Sequence, residues 1–199
     1  MKHSFIEDIE LGSKNALMKI RIISYYINNG ENSLADLGKE MDLTVPTVTK
    51  LVGELIEDGY VIDFGKQETN GGRRPNIYGL NPDSGYFIGV DIKHFRINLA
   101  LINFKGDLMQ TKCDIPFQYE NSEANLESLC DSIDDFINSL NIERKKIFSV
   151  GINISGRVNS ETGHSYSRYF FSEKPLSEIF QERLGIHVSI DNDSRAMAY

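Results

Sequence analysis

The 199 residues are 40% hydrophobic and 25% charged, an ordinary globular composition that can bury a core without disulfide or metal staples. The formal charge of −8 argues against a protein that coats nucleic acid non-specifically, because phosphate binding draws on clustered Lys and Arg. Residues 1–82 are themselves acidic, with nine Lys plus Arg against twelve Asp plus Glu for a net of −3, so any nucleic-acid surface must be local.

No apolar run approaches the length of a membrane span, and Met1 to Asn15 lacks the apolar core of a signal peptide. The two cysteines, Cys113 and Cys130, form neither a disulfide framework nor a metal-ligand spacing, so a reducing cytoplasm is the expected location. From Asn15 the apolar residues Ala16, Leu17, Ile20, Ile23 and Ile27 recur at helical spacing until Asn28-Asn29-Gly30, which predicts a first helix with those residues as its apolar stripe. Ser33-Leu34-Ala35-Asp36 resembles a capping box and opens a short second helix to about Met41. After Asp42-Leu43, Thr44 can cap a third helix whose first turn tolerates Pro46. Val45, Val48, Leu51, Val52 and Leu55 form its expected inner stripe, with Thr47, Lys50 and Glu54 opposite and Thr44, Pro46 and Thr49 at its leading end. Helix, tight turn, helix is the helix-turn-helix pattern, whose second member enters the major groove.

Gly59 ends that helix, and the strand-forming runs Tyr60 to Phe64 and Asn76 to Leu80 flank the turn signal Asn70-Gly71-Gly72. The hairpin would carry Arg73 and Arg74, completing a winged helix. The candidate DNA contacts are therefore Thr44, Pro46, Thr47, Thr49 and Lys50 on the helix and Arg73 and Arg74 on the wing.

Asn81-Pro82-Asp83-Ser84-Gly85 punctuates the chain, giving an expected winged-helix domain at 1–82 and a second domain at 83–199. In the latter, Tyr86 to Ile92, Ile97 to Asn103 and Asp107 to Ile115 read as strands, Glu123 to Leu140 as a helix, Ile147 to Ile154 as a buried strand, Leu176 to Leu184 as a helix and Val188 to Ile190 as a strand. Three strands, helix, strand, helix, strand is the order of a ribonuclease-H-like lobe, so the fold class is α/β with an N-terminal winged helix-turn-helix. Asn192 to Tyr199 reads as a helix just beginning, without a stop signal, and the chain is expected to be part of a longer protein.

The chain resembles the ROK family, which unites bacterial sugar repressors and sugar kinases. The resemblance rests on the helix-turn-helix, Gly71-Gly72-Arg73-Arg74-Pro75, the junction from Leu80-Asn81-Pro82 to Gly85-Tyr86-Phe87-Ile88-Gly89-Val90-Asp91, the segment Gly151 to Val158, and Asp191-Asn192-Asp193. It implies that the second domain is the first lobe of an actin-like ATPase fold. Kinases of the family carry a Gly- and Thr-containing phosphate loop after the Asp of the first strand. Here Asp91 is followed by Ile92-Lys93-His94-Phe95-Arg96, whose bulk opposes close phosphate approach. Lys93 and Arg96 could attract phosphate or simply be exposed charges at a strand end.

Asn192 and Asp193 resemble the family's sugar-binding pair, and Gly156 its glycine near the sugar; Arg157 stands where Pro is common. The alternative for Asn192 or Asp193 is a helix cap. The resemblance thus implies a sugar or sugar-phosphate ligand at Gly156, Asn192 and Asp193, no catalysis, and no cofactor in this stretch. The family's structural zinc ligands would lie beyond Tyr199. The function so implied is a DNA-binding regulator, a repressor of carbohydrate genes that acts on a double-stranded operator as a homo-oligomer and has no membrane partner. Two alternatives stand beside it: a ROK-type sugar kinase with an accessory N-terminal domain, and a winged helix that binds protein.

Overall fold

A helical run with a glycine stop folds as expected into α1 (Lys14–Asn29), in a computed structural model that describes residues 12–66 and 75–198. The chain divides into two units, Met1–Ser84 and Gly85–Tyr199. In the first unit α1 is followed by a two-residue strand, β1 (Asn32–Ser33), then α2 (Leu34–Met41), α3 (Val45–Glu57), β2 (Val61–Lys66) and β3 (Asn76–Leu80). β3 pairs antiparallel with both β1 and β2, giving the small sheet that backs a winged helix. The expected wing tip, including Arg73 and Arg74, lies outside the described residues.

The face that α1 buries is not the one its apolar residues mark. Ala16, Lys19, Ile22 and Tyr26 are buried, whereas Leu17 and Ile27 are 52% and 58% exposed. A lysine occupies a core position because its ammonium lies 3.1 Å from Glu54 on α3 and 3.1 Å from Asp58 just beyond it. Apolarity alone cannot anticipate that exchange. Burial by itself would lower the Lys19 ammonium, but the hydrogen bonds and charges of Glu54 and Asp58 outweigh it and hold the group above its usual value. The same contacts make Glu54 half-buried instead of part of the outward face.

Ser33 caps α2, its hydroxyl accepting from Asp36 N–H at 3.1 Å and donating to the Asp36 carboxylate at 2.8 Å. The acid returns to the hydroxyl, while Ser33 N–H turns to the Asn32 side chain at 2.8 Å. Thr44 caps α3. Val48, Leu51, Val52 and Leu55 are buried as expected, but Val45 is 47% exposed. Helical side chains lean toward the N-terminus, so the first residue of α3 projects past the turns that pack against α1 and α2.

The second unit begins with β4 (Tyr86–Ile92), β5 (Arg96–Asn103) and β6 (Leu108–Pro116), followed by α4 (Glu123–Ser139) and β7 (Ile147–Ile154). A short hairpin, β8 (Val158–Asn159) with β9 (His164–Ser165), precedes α5 (Leu176–Leu184), β10 (Val188–Asn192) and the single turn α6 (Asp193–Ala196). The sheet order is β10-β7-β4-β5-β6, antiparallel from β4 to β6 and parallel from β4 to β10. That mixed order is the ribonuclease-H-like arrangement expected from the element order. Alternate residues of the inner strands, such as Ile88, Val90 and Ile152, pack with Leu129, Ile133 and Phe136 of α4 and Phe180 of α5 in one core. The parallel register sets the ends of β7 and β10 side by side, with Ile154 opposite Asn192.

Candidate nucleic-acid interface and ligand groove

The leading end of α3 carries Thr44, Pro46, Thr47, Thr49 and Lys50, all exposed. Its hydroxyls are largely committed to the helix itself. Thr44 Oγ1 accepts from Thr47 N–H at 3.4 Å and lies 2.8 Å from Thr47 Oγ1, while Thr49 Oγ1 donates to Val45 C=O at 2.8 Å. A hydroxyl has a single proton to give, so Thr49 and one of the Thr44 and Thr47 pair have spent theirs. Lys50 keeps a 68% exposed side chain, with its ammonium 4.0 Å from Glu54. At the start of α2, hydrogen bonds from Ser33 and then Lys39 hold the Asp36 carboxyl below its usual range. Ser33, Leu34, Ala35, Val45, Pro75 and Asn76, with Tyr78, line a concavity of about 410 Å³ between the starts of α2 and α3 and the base of the wing.

The second unit brings Gly156 and Asn192 together from 36 residues apart, Asn192 Nδ2 donating to Gly156 C=O at 2.9 Å. Both line an open groove of about 440 Å³ with Arg157, Val158, Tyr166 and Arg195. Gly156 has φ of +104°, and an added Cβ would stand 2.4 Å from Ser167 Cβ, so only glycine fits this turn. Ser167 also fixes the neighbouring residue, its hydroxyl accepting from Arg157 N–H at 2.9 Å.

Asn192 caps α6, its Oδ1 accepting from Arg195 N–H at 3.1 Å. Asp193 is not among the groove-lining residues, and its carboxylate accepts from Ser194 N–H at 2.8 Å and Asn192 Nδ2 at 3.2 Å. Asp191 is held below the usual carboxylate range by Arg195, whose Nε donates to it at 2.6 Å, against the opposing effect of burial. The cap and the groove are thus one structure. Tyr166 and Arg195 join the groove without being among the residues the family resemblance marks. The i, i+4 spacing of Asp191 and Arg195 was a usable signal, whereas a loop tyrosine offers none.

The segment after the first strand of this unit is a tight turn, closed by Lys93 N–H donating to Arg96 C=O at 2.9 Å. Lys93 lies 3.0 Å from Asp91 and Arg96 lies 3.2 Å from Asp114, so both cations have carboxylate partners. Phe95 at the tip is 68% exposed. Among the described residues, no three His, Cys, Asp or Glu side chains come together in a way that could hold a metal ion, and no helix is long and apolar enough to cross a membrane.

The ROK family model matches residues 87–199, more than half of the chain, and a winged helix-turn-helix DNA-binding model matches residues 18–62. The chain is 30% identical over 182 residues to the xylose repressor of Caldicellulosiruptor bescii, covering 90% of this chain and 46% of that protein. It is 25% identical over 184 residues to the xylose repressor of Bacillus subtilis, again 46% of that protein. The chain therefore spans about half the length of the curated relatives it matches. A crystal structure of a ROK family transcriptional regulator, described as a homologue of the Escherichia coli MLC protein, superposes over 90% of this chain and 46% of that one, with a TM-score of 0.69 and 23% identity.

Proposed function

Since the chain belongs to the ROK family and carries a winged helix-turn-helix ahead of its ROK domain, we propose that it is a sugar-responsive transcriptional regulator. In this reading it represses carbohydrate genes from a double-stranded operator, as a cytoplasmic homo-oligomer. One observation carries the proposal: the leading end of a capped, exposed α3 stands on the same chain as a ROK domain. The relatives named as xylose repressors support it. Thr44, Pro46, Thr47, Thr49 and Lys50 meet the major groove, and Arg73 and Arg74 reach phosphates or the minor groove. The sugar or sugar phosphate sits at Gly156, Asn192 and Asp193, where the Asp193 carboxylate and the Asn192 amide oxygen can accept from hydroxyls.

The same reading makes the chain a binder and not a kinase. Phosphoryl transfer depends on cradling nucleotide phosphates and placing the γ-phosphate in line. The turn Lys93 to Arg96 is closed on itself, and its cations face Asp91 and Asp114. Binding of promoter-derived duplex against scrambled duplex, with and without a panel of sugars and sugar phosphates, tests the regulator reading. A preference for the promoter that one ligand changes is expected, and equal binding to both duplexes would sink it. Saturable ATP turnover with any sugar in a coupled assay would overturn the non-enzymatic part.

A further inference from the structure

The commitments of the α3 hydroxyls leave its leading end poorer in polar readout than its composition suggests. Of three threonine protons, two are spent on helix partners, one to Val45 C=O and one between Thr44 and Thr47. Val45, an apolar residue, is 47% exposed at the first position of α3 and borders the concavity that Leu34 and Ala35 also line. A thymine presents one apolar feature in the major groove, its 5-methyl group, and small aliphatic side chains are its complement.

We propose that Val45 is a specificity-determining residue that reads a thymine 5-methyl, with Ala35 and Leu34 forming the apolar surface behind it. The inference rests on the DNA-binding reading above and names the base feature that reading would use. Its occupant is a duplex with a thymine under the start of α3, and Lys50 five residues further along supplies the cation to hold the backbone or a purine edge.

Replacing thymine by uracil removes the methyl and nothing else from the groove, which makes the test specific. The protein is titrated by fluorescence anisotropy with a promoter-derived duplex, with a scrambled duplex, and with promoter duplexes carrying uracil at one thymine at a time. Preference for promoter over scrambled duplex reports on DNA recognition itself. Given that preference, uracil at one or two positions per half-site is expected to weaken binding about fourfold, the effect of one buried methyl. Val45→Ala should lose that sensitivity at those positions, binding thymine and uracil duplexes within about twofold. Val45→Thr, which retains a γ-methyl, should keep most of it. Val45 is exposed, so melting temperatures close to wild type are expected. A flat uracil scan with the promoter preference intact overturns the inference and leaves the DNA-binding reading standing. So does uracil sensitivity that survives in Val45→Ala. No preference for promoter in the first comparison overturns both.

Discussion

At the scale of single residues, the clearest departure from pattern is a charge in a core. The Lys19 side chain is 8% exposed, and the two carboxylates beside it are 32% and 35% exposed. Solvent at those carboxylates keeps the cost of losing Lys19 below that of breaking a fully buried pair, and Lys19→Met is expected to cost about 1–3 kcal/mol in urea denaturation. Because the folded value of Lys19 is raised above its ordinary 10.5, the stabilisation is fully present below that ordinary value. It is lost as pH rises through the folded value. The gap between wild type and Lys19→Met should therefore hold steady from about pH 7 to 9 and narrow only as pH rises above the ordinary 10.5. In the second unit, Asp193→Ala should weaken ligand affinity by about tenfold or more in calorimetry, the effect of one charge-assisted hydrogen bond, while ligand-free promoter binding stays unchanged. Wild-type ligand affinity in that variant would make Asp193 a partner of the α6 cap alone. Family resemblance alone pairs Asn192 with Gly156 as candidate ligand residues, since no local spacing announces a contact between residues 36 apart.

At the scale of elements, helices and long strands were legible because their periodicities run over many residues. β7 and α5 begin and end where the apolar pattern does. β1, β8 and β9 are two residues each, too short to carry a period, and went unread. Apolarity marks the wrong face of α1 because Lys19 takes a core position that apolarity assigns to a hydrocarbon. Val45 leaves the inner stripe of α3 because that stripe does not extend to the first residue of the helix. The wing hairpin is set by β2 and β3, with a bulge between Asp63 and Gly65 where Asp63 accepts from Gly65 N–H at 2.7 Å. Its arginines are expected to act through charge and not base identity. Arg73→Ala with Arg74→Ala should weaken binding to promoter and scrambled duplex alike and flatten the plot of log affinity against log salt by about 2, nearly one counterion per lost phosphate contact. An unchanged slope would remove the wing from the DNA surface.

At the scale of the whole molecule, the proposed regulator would read too few base pairs for a promoter preference with one α3 in one groove, and symmetric half-sites would have to supply the rest. Protection of promoter DNA should therefore show two-fold symmetry with half-site centres about one helical turn or a multiple apart. A single unpaired footprint would contradict a dimeric reader. The order of strands in the second unit carries a consequence for how the chain is made. β4 is the first strand of its sheet to leave the ribosome, yet it lies at the centre, with β5 on one side and β7 on the other. Its meander partner follows within a few residues, but β7 starts 55 residues after β4 ends (147 − 92). At about 5–20 residues per second, that is roughly 3–11 seconds of translation with one backbone edge of an apolar strand bare. An open edge of that kind is a template for pairing with other nascent chains. Chains still on the ribosome are therefore expected to be the most prone to mispairing, and slower production of the protein should raise its soluble fraction.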